Sequence, residues 1–334
     1  MPDINTKEAE QFCQTWDRST HVDKLALCND MGIAYQTGKN YRHIWGGRNF
    51  KPEYNVPIDS SWSEHLSVFK QMDKLIAFHQ QMPTEISVEI KTDKPIGVAF
   101  TEDWQLGQSG VDYTTFEKDM RFLAGSKNIK NIIGGDGYQN IIQSSKMGSS
   151  HNQMPVAPQK GLYYNTLEML ANNNICVTTG NHNYWSTLLD GEDWDREICG
   201  KLKLVYIKHG GLINLKVGKQ VYPILKMHQS QFNSSFNLTH TCRQQQRLYY
   251  PQSRVIVIGH RHVPEVTHYS YAGNECIAMR PGTYAVYDDY ALQNGFFGAH
   301  ISNPTVVFYP NEDKLVGFKD MYDADIYLKA VAGQ

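Results

Sequence analysis

Five short polar motifs, each placed after an apolar run, carry the residues of this sequence that could do chemistry. Together they supply carboxylates, an amide and imidazoles, which are donors that divalent first-row metal ions accept. The most specific motif is Gly259-His260-Arg261-His262, because two alternating imidazoles past a buried strand form a pair of nitrogen donors. The candidate metal ligands, in chain order, are Asp103, Asp136, Asn181, His228, His260 and His262.

Such a donor set suits two cations that lie a few ångströms apart and share an anionic ligand. A central aspartate can bridge two ions, and a water between them ionises near neutral pH, which is the chemistry of two-metal phosphoester hydrolysis. Taken singly, each residue has a simpler interpretation. A strand-end aspartate often caps the next helix, an asparagine often occupies a turn, and a lone histidine is often only a packed side chain.

The apolar runs before these motifs predict the elements that position them. IGVAF, NII, ICVTT, VYPILKM and VIVI are short and rich in β-branched residues, and helical patterns at Tyr113–Ala124 and Tyr163–Asn172 lie between the first three. This rhythm predicts parallel βαβ units, in which ligands bind outside the carboxyl ends of the strands. Beyond Val263 the pattern predicts strands to the end of the chain. The expected fold class is α/β, with sheets layered under helices.

The order of the motifs resembles a known family. EDWQLG, GGDGYQN, GNHNYW, KMHQ and GHRH, between residues 95 and 290, resemble the five motifs of calcineurin-like metallophosphoesterases. The resemblance implies a four-layer α/β/β/α sandwich with a dinuclear metal centre. It also implies the ligands: Asp103, Gln105 and His262 for the first metal, Asp136 as the bridge, and Asn181, His228 and His260 for the second.

Two positions within these motifs bear on metal choice and catalysis. Gln105 stands where the family's D-x-H motif has histidine. Its neutral amide oxygen should bind more weakly than imidazole and favour harder ions, so we expect a labile first site and Mn²⁺ as the metal, with Zn²⁺, Fe²⁺ and Mg²⁺ as alternatives. His182 resembles the family's histidine that contacts a phosphate oxygen or protonates the leaving group, and it joins Asp136 as a predicted catalytic residue. The alternative for His182 is a loop residue with no role.

The N-terminal region carries a second signal. Residues 25–45 resemble a helix-turn-helix with its turn at Gly32, and residues 33–51 contain Lys39, Arg42 and Arg48 but no acid, as contact with a DNA backbone requires. Gly38 departs from that pattern, which usually has an aliphatic residue there. The alternative is a small helical cap. The expected organisation is a helical domain over 1–60, a connecting helix over 61–84 and a metallophosphoesterase domain over 85–334.

Bulk properties limit the remaining function classes. A net charge of −2 over 334 residues excludes a protein that coats polyanions with its whole surface. The sequence shows neither a signal peptide nor an apolar run of membrane-spanning length, and its six scattered cysteines form no CxxC pair, so we expect a cytoplasmic protein with no membrane association. Homodimerisation is compatible with the sequence.

The sequence therefore predicts a metal-dependent phosphodiesterase or nuclease acting on nucleic acid, with DNA as the expected substrate. One alternative is a phosphatase of the same family that acts on phosphoproteins or small phosphoesters. Another is a DNA-binding protein with a degenerate catalytic fold. Retention of six of the seven family metal-ligand positions argues against the second alternative.

Overall fold

A computed structural model describes residues 11–16, 21–31, 33–35, 37–39, 61–80, 84–141, 154–287 and 299–332. The chain divides into two compact units, Met1–Gln81 and Met82–Gln334. None of the described helices has an apolar stretch long enough to cross a membrane.

The first unit is helical where it is described. Residues 11–16 are helical, and α1 (His21–Asp30) and α2 (Trp62–Gln80) follow. A small apolar cluster joins Phe12, Trp16 and Cys28. Gly38 is buried against it, and an added Cβ there would lie 2.5 Å from Cys28 Sγ. Close packing therefore explains why a glycine occupies this position.

The helix-turn-helix prediction is not confirmed. Of the part of this segment that follows Gly32, Tyr35 and residues 37–39 are helical, and Lys39 is exposed. Arg42 and Arg48 lie outside the described residues. Contact of this segment with DNA stays a prediction.

The second unit alternates strands and helices until residue 258 and is mostly strands thereafter. Its elements are β1 (Glu85–Ile90), β2 (Ile96–Thr101), α3 (Tyr113–Gly125), β3 (Ile129–Ile133), α4 (Val156–Leu170), β4 (Asn174–Val177), α5 (Asn181–Asp190), α6 (Trp194–Leu202), β5 (Gly210–Val217), β6 (Gln220–Met227), α7 (His240–Leu248), β7 (Val255–Ile258), β8 (Glu265–Tyr271), β9 (Asn274–Arg280), β10 (Thr305–Phe308), β11 (Leu315–Phe318) and α8 (Met321–Ala332).

The described strands form two sheets. The five-stranded sheet has the order β11-β10-β2-β3-β4, in which β2, β3 and β4 are parallel. The six-stranded sheet has the order β1-β5-β6-β7-β9-β8, in which β6, β7 and β9 are parallel. Each sheet thus has a run of three parallel strands, and the carboxyl ends of such a run share one edge.

Side-chain alternation along β2 shows the layering. Val98 and Phe100 pack in an apolar cluster with residues of the six-stranded sheet, whereas Ala99 packs with residues of α3, α4, α6 and α8. On the far side of the six-stranded sheet, Cys242 of α7 packs against Leu225 and Ile256. All six β2 positions are buried, as expected for a parallel strand covered on both faces. The order of layers is α/β/β/α, and the predicted fold class is confirmed.

Two details of the sequence prediction are wrong. The chain does not remain strand-rich to its end, because α8 follows β11. Its buried residues Met321, Ala324 and Leu328 lie at helical spacing and pack against the five-stranded sheet. In addition, α4 begins at Val156, seven residues before the predicted start. Pro158 lies in the first turn of α4, where a proline removes no hydrogen bond.

Candidate metal centre

The predicted ligands meet where the parallel strands of both sheets end. Asp103 follows β2, Asp136 follows β3 and Asn181 begins α5 after β4, all in the five-stranded sheet. His228 follows β6, and His260 follows β7 in the other sheet. The two sheets are joined at this edge, because the backbone N–H of His260 donates a 2.9 Å hydrogen bond to Asp103 Oδ2. The structure thus brings together residues that lie up to 159 positions apart, from Asp103 to His262.

Four predicted ligands form one half of the cluster. His228 Nε2 lies 3.1 Å from Asp136 Oδ2 and 3.2 Å from Asn181 Oδ1. The rings of His228 and His260 are 5.2 Å apart. One donor atom each from Asp136, His228 and His260 lie within 4.8 Å of one another, which is close enough to share a metal ion. This half corresponds to the predicted second metal site.

The other half contains Asp103, Gln105 and His262. His262 Nε2 lies 3.4 Å from Asp103 Oδ1 and 3.4 Å from the Gln105 side-chain nitrogen. The structure therefore also brings together the residues predicted for the first site, and Asp136 is close enough to both halves to influence Asp103 and His262 as well as His228.

The hydrogen bonding of three buried oxygens indicates whether these residues could bind cations. Asp103 Oδ1, Gln105 Oε1 and Asp136 Oδ2 are buried, and among the described residues none has a hydrogen-bond partner. Buried polar atoms without partners are rare and costly, so each requires an explanation. Two of them, Asp136 Oδ2 and Asp103 Oδ1, lie 3.1 Å and 3.4 Å from imidazole nitrogens, as the ligands of a common ion would. The donor set fits divalent cations.

The backbone at this edge is strained in a consistent way. Asp103, Gln105, Asp136, His260 and His262 have φ values of 53°, 51°, 57°, 70° and 59°. The left-handed conformation costs non-glycine residues on the order of 1 kcal/mol each, and it persists where the surrounding structure imposes it, often at functional sites. Here it turns each side chain back over the end of its strand.

Glycines allow the loops to approach one another. A Cβ on Gly135 would lie 2.3 Å from Gly180 Cα, and a Cβ on Gly180 would lie 2.1 Å from Asp136 Oδ1. Any larger residue at either position would push the β3 and β4 loops apart. The glycines of the GGDGYQN and GNHNYW motifs are thus needed for the ligands to converge.

The shifted pKa values show which groups of the cluster are in the charge state that a cation requires. Burial opposes ionisation of Asp136, yet His228 and His182 hold the pKa of its carboxyl below the ordinary value. Burial, together with the neighbouring His228, lowers the pKa of His260 to about 4. His260 is therefore a neutral imidazole at pH 7, with a lone pair free to bind a cation.

His182 lies beside the cluster in the orientation that its predicted role requires. Its Nδ1–H donates a 2.7 Å hydrogen bond to the carbonyl of Gln139, which leaves Nε2 facing the cluster 3.8 Å from Asp136 Oδ2. The ring packs on Trp185 at 4.2 Å. Asn140 fixes the same loop, because its side-chain nitrogen donates a 2.6 Å hydrogen bond to the His182 carbonyl.

Sequence reasoning missed Glu102 and Lys226. Both side chains are fully buried beneath the cluster, and Glu102 accepts hydrogen bonds from Lys226 Nζ at 2.7 Å and from His228 Nδ1 at 3.2 Å. A Cβ on Gly134 or Gly259 would lie 2.4 Å or 2.2 Å from Glu102 atoms, so two motif glycines make room for this carboxylate. The signal that the sequence offered for both residues was a charged side chain at the end of a mostly apolar run, Glu102 just after β2 and Lys226 near the end of β6.

Comparisons with known proteins return only distant structural likenesses. No family profile and no curated protein matches the chain. Vacuolar protein sorting 29 from Cryptosporidium parvum is 14% identical over 68% of this chain and 100% of its own, with a TM-score of 0.38. A 5'-nucleotidase described as putative, from Staphylococcus aureus, is 12% identical over 68% of this chain and 53% of its own, with a TM-score of 0.40.

A nuclease from Pseudomonas putida is 11% identical over 66% of this chain and 87% of its own, with a TM-score of 0.31. At such low scores these likenesses carry no argument about activity. The chemistry of the site rests on its own geometry.

Gln105 gives a direct test of the first half of the cluster. Replacing Gln105 with His should tighten cation binding there by about tenfold, or 1.4 kcal/mol, because imidazole is the stronger donor. Gln105→Leu, which removes the amide oxygen, should weaken it. Calorimetric titration with Mn²⁺ measures both sites. Two equally tight sites in the unmodified protein, unchanged in both variants, would contradict the assignment.

Proposed function

We propose that this protein is a metal-dependent phosphoesterase and that its preferred substrates are phosphodiesters. The observation that carries the proposal is the set of three buried oxygens, on Asp103, Gln105 and Asp136, that lack hydrogen-bond partners among the described residues. Those of Asp103 and Asp136 lie 3.4 Å and 3.1 Å from imidazole nitrogens at one edge of the two sheets. A pair of divalent cations would satisfy all three at once.

Different residues of the cluster would have different roles in phosphoester hydrolysis. Two divalent ions, with Mn²⁺ proposed because of Gln105, would polarise the phosphate and lower the pKa of a water molecule. Asp136 lies between both halves of the cluster and would be shared by the two ions. His182 has one nitrogen fixed by the Gln139 carbonyl, so its Nε2 is positioned to contact a phosphate oxygen or to pass a proton to the leaving group.

The class of substrate is tested with two small esters. Hydrolysis of bis-p-nitrophenyl phosphate and of p-nitrophenyl phosphate is measured with Mn²⁺ and with EDTA. The proposal expects Mn²⁺-dependent cleavage with a higher kcat/KM for the diester. Preference for the monoester would favour a phosphatase instead. Absence of metal-dependent cleavage of either ester would refute phosphoesterase activity.

We further propose nucleic acid as the physiological diester. The acid-free N-terminal segment with Lys39, Arg42 and Arg48 supports this at the level of sequence. The distribution of charge in the second unit supports it independently.

A further inference from the structure

One stretch of the second unit contains no acidic residue. Residues 198–264 contain ten lysines and arginines and neither aspartate nor glutamate, whereas the rest of the chain has 34 acidic residues against 22 basic ones. Although the net charge of the chain is only −2, this stretch is strongly basic and the rest of the chain is acidic. The stretch includes the three histidines of the candidate metal centre and the strands that position them.

Some of these cations are already neutralised. Lys216 pairs with Glu89, Lys226 with Glu102 and Arg254 with Asp313. Among the described residues, Lys208 and Arg261 form no ion pair. Unpaired cations next to a site of negatively charged substrates are candidates for holding those substrates.

Lys208 lies at the edge of the metal centre. Its carbonyl accepts a 2.7 Å hydrogen bond from the backbone N–H of Thr179, two residues before the predicted ligand Asn181. The start of β5 that follows Lys208 also pairs with the end of β6, since Gly210 lies opposite Met227, the residue before His228. Lys208 is thus fixed beside two of the loops that carry ligands.

The side chain of Lys208 is also placed where it could contact a nucleic acid. Its Nζ lies 5.1 Å from the centre of the Tyr184 ring, and the ring of His209 is 4.9 Å from the same tyrosine. Tyr184 lies one helical turn beyond Asn181 in α5. An aromatic face next to a cation is the combination with which proteins hold single-stranded nucleic acid, because bases stack while phosphates pair.

Arg261 adjoins two other predicted ligands. It lies between His260 and His262 in the loop after β7, and its side chain is exposed. The left-handed backbone of both histidines turns their side chains to the cluster. The cationic side chain between them remains in solvent, beside the first half of the metal centre.

We propose that Lys208 and Arg261 bind the phosphates of a single-stranded nucleic acid next to the metal centre, with a base stacked at Tyr184. This proposal rests on the proposed phosphodiesterase function and specifies its substrate. It places the scissile phosphate over the cluster and the neighbouring phosphates on the two cations.

The test is metal-free binding of a short fluorescein-labelled single-stranded oligonucleotide to the full chain, measured by anisotropy in EDTA over a range of salt concentrations. Each phosphate contact contributes about 0.7 to the slope of log K against log salt for a single strand. Lys208→Gln and Arg261→Gln should each lower the slope by about that amount, and the double variant by about twice as much. Thermal unfolding checks that each variant is folded.

Lys219→Gln is the matched control. Lys219 belongs to the same acid-free stretch and is exposed, but it lies in the turn between β5 and β6, at the other end of the hairpin from His228. It should leave the slope unchanged. An equal loss in Lys219→Gln, or an unchanged slope in the double variant, would overturn the proposal. So would a loss confined to Arg42→Ala/Arg48→Ala, which would place binding in the first unit.

Polyglutamate as a competitor distinguishes nucleic acid from an acidic protein. If it displaces the oligonucleotide as well as an unlabelled strand does, the recognition of nucleic acid is refuted. Hydrolysis of bis-p-nitrophenyl phosphate by the unmodified protein is scored separately. Binding without hydrolysis would refute the proposed function, whereas hydrolysis with no contribution from Lys208 and Arg261 would refute only this inference.

Discussion

Replacing Asp136 with Ala should abolish metal binding in both halves of the candidate centre and lower kcat for phosphodiester hydrolysis by several orders of magnitude. Asp136 is buried in the cluster, and its Oδ2, which has no hydrogen-bond partner among the described residues, lies 3.1 Å from His228 Nε2. It is the carboxylate positioned to offset the repulsion between two cations, so its loss should affect both sites and not one alone. Calorimetry with Mn²⁺ and hydrolysis of bis-p-nitrophenyl phosphate measure the two effects.

Two further variants separate this effect from simple unfolding. Asp136→Asn keeps the shape of the side chain and an oxygen for the backbone N–H of His182, which donates to Asp136 Oδ1 at 2.8 Å. It should fold and still lose activity. Asp119→Asn removes another buried carboxylate, one that accepts from Tyr284 and Asn303 away from the cluster. It should lower thermal stability while cations still bind. Turnover close to normal in Asp136→Ala would rule out the proposed role.

The positions of the ligands could be predicted because two simple patterns coincide at this edge. A parallel strand buried on both faces is continuously apolar, as IGVAF in β2 is, so its end is visible as the first polar residue. The carboxyl ends of parallel strands meet at one edge whatever the loops between them do. These two rules place Asp103, Asp136 and His260 at the same edge, each within three residues of a strand end.

The buried ion pair beneath the predicted ligands could not be predicted in the same way. Glu102 and Lys226 are 124 residues apart, and no local pattern pairs them. Glu102 was visible only as the residue before Asp103, and Lys226 only as a polar interruption in the apolar run of β6. Their pairing depends on how the two sheets face each other, which is a property of the whole fold. The helix at Met321–Ala332 was missed for a related reason, since its buried face is specified by the sheet that it covers.

Glu102 is the residue whose replacement should have the most selective effect on metal binding. Its carboxylate accepts the Nδ1–H of His228, which holds that ring with Nε2 facing Asp136 and Asn181, where a shared cation would bind. A carboxylate that orients a histidine in this way typically changes metal affinity by roughly 10- to 100-fold when it is lost. Glu102→Gln should therefore weaken the half of the centre formed by Asn181, His228 and His260 by that factor, and leave the half at Asp103, Gln105 and His262 unchanged.

Lys226 complicates that single variant, because removing one partner of a buried ion pair leaves an uncompensated charge that costs about 3–5 kcal/mol. Glu102→Gln/Lys226→Met removes both charges and should restore thermal stability, since apolar replacement of a buried pair is often neutral. It should not restore cation affinity at the His228 half, because the carboxylate acceptor for Nδ1–H is still absent. If the double variant regains full affinity, Glu102 serves only to neutralise Lys226. If both halves weaken together in Glu102→Gln, the effect is a general loosening of the edge, and Glu102 does not act through His228.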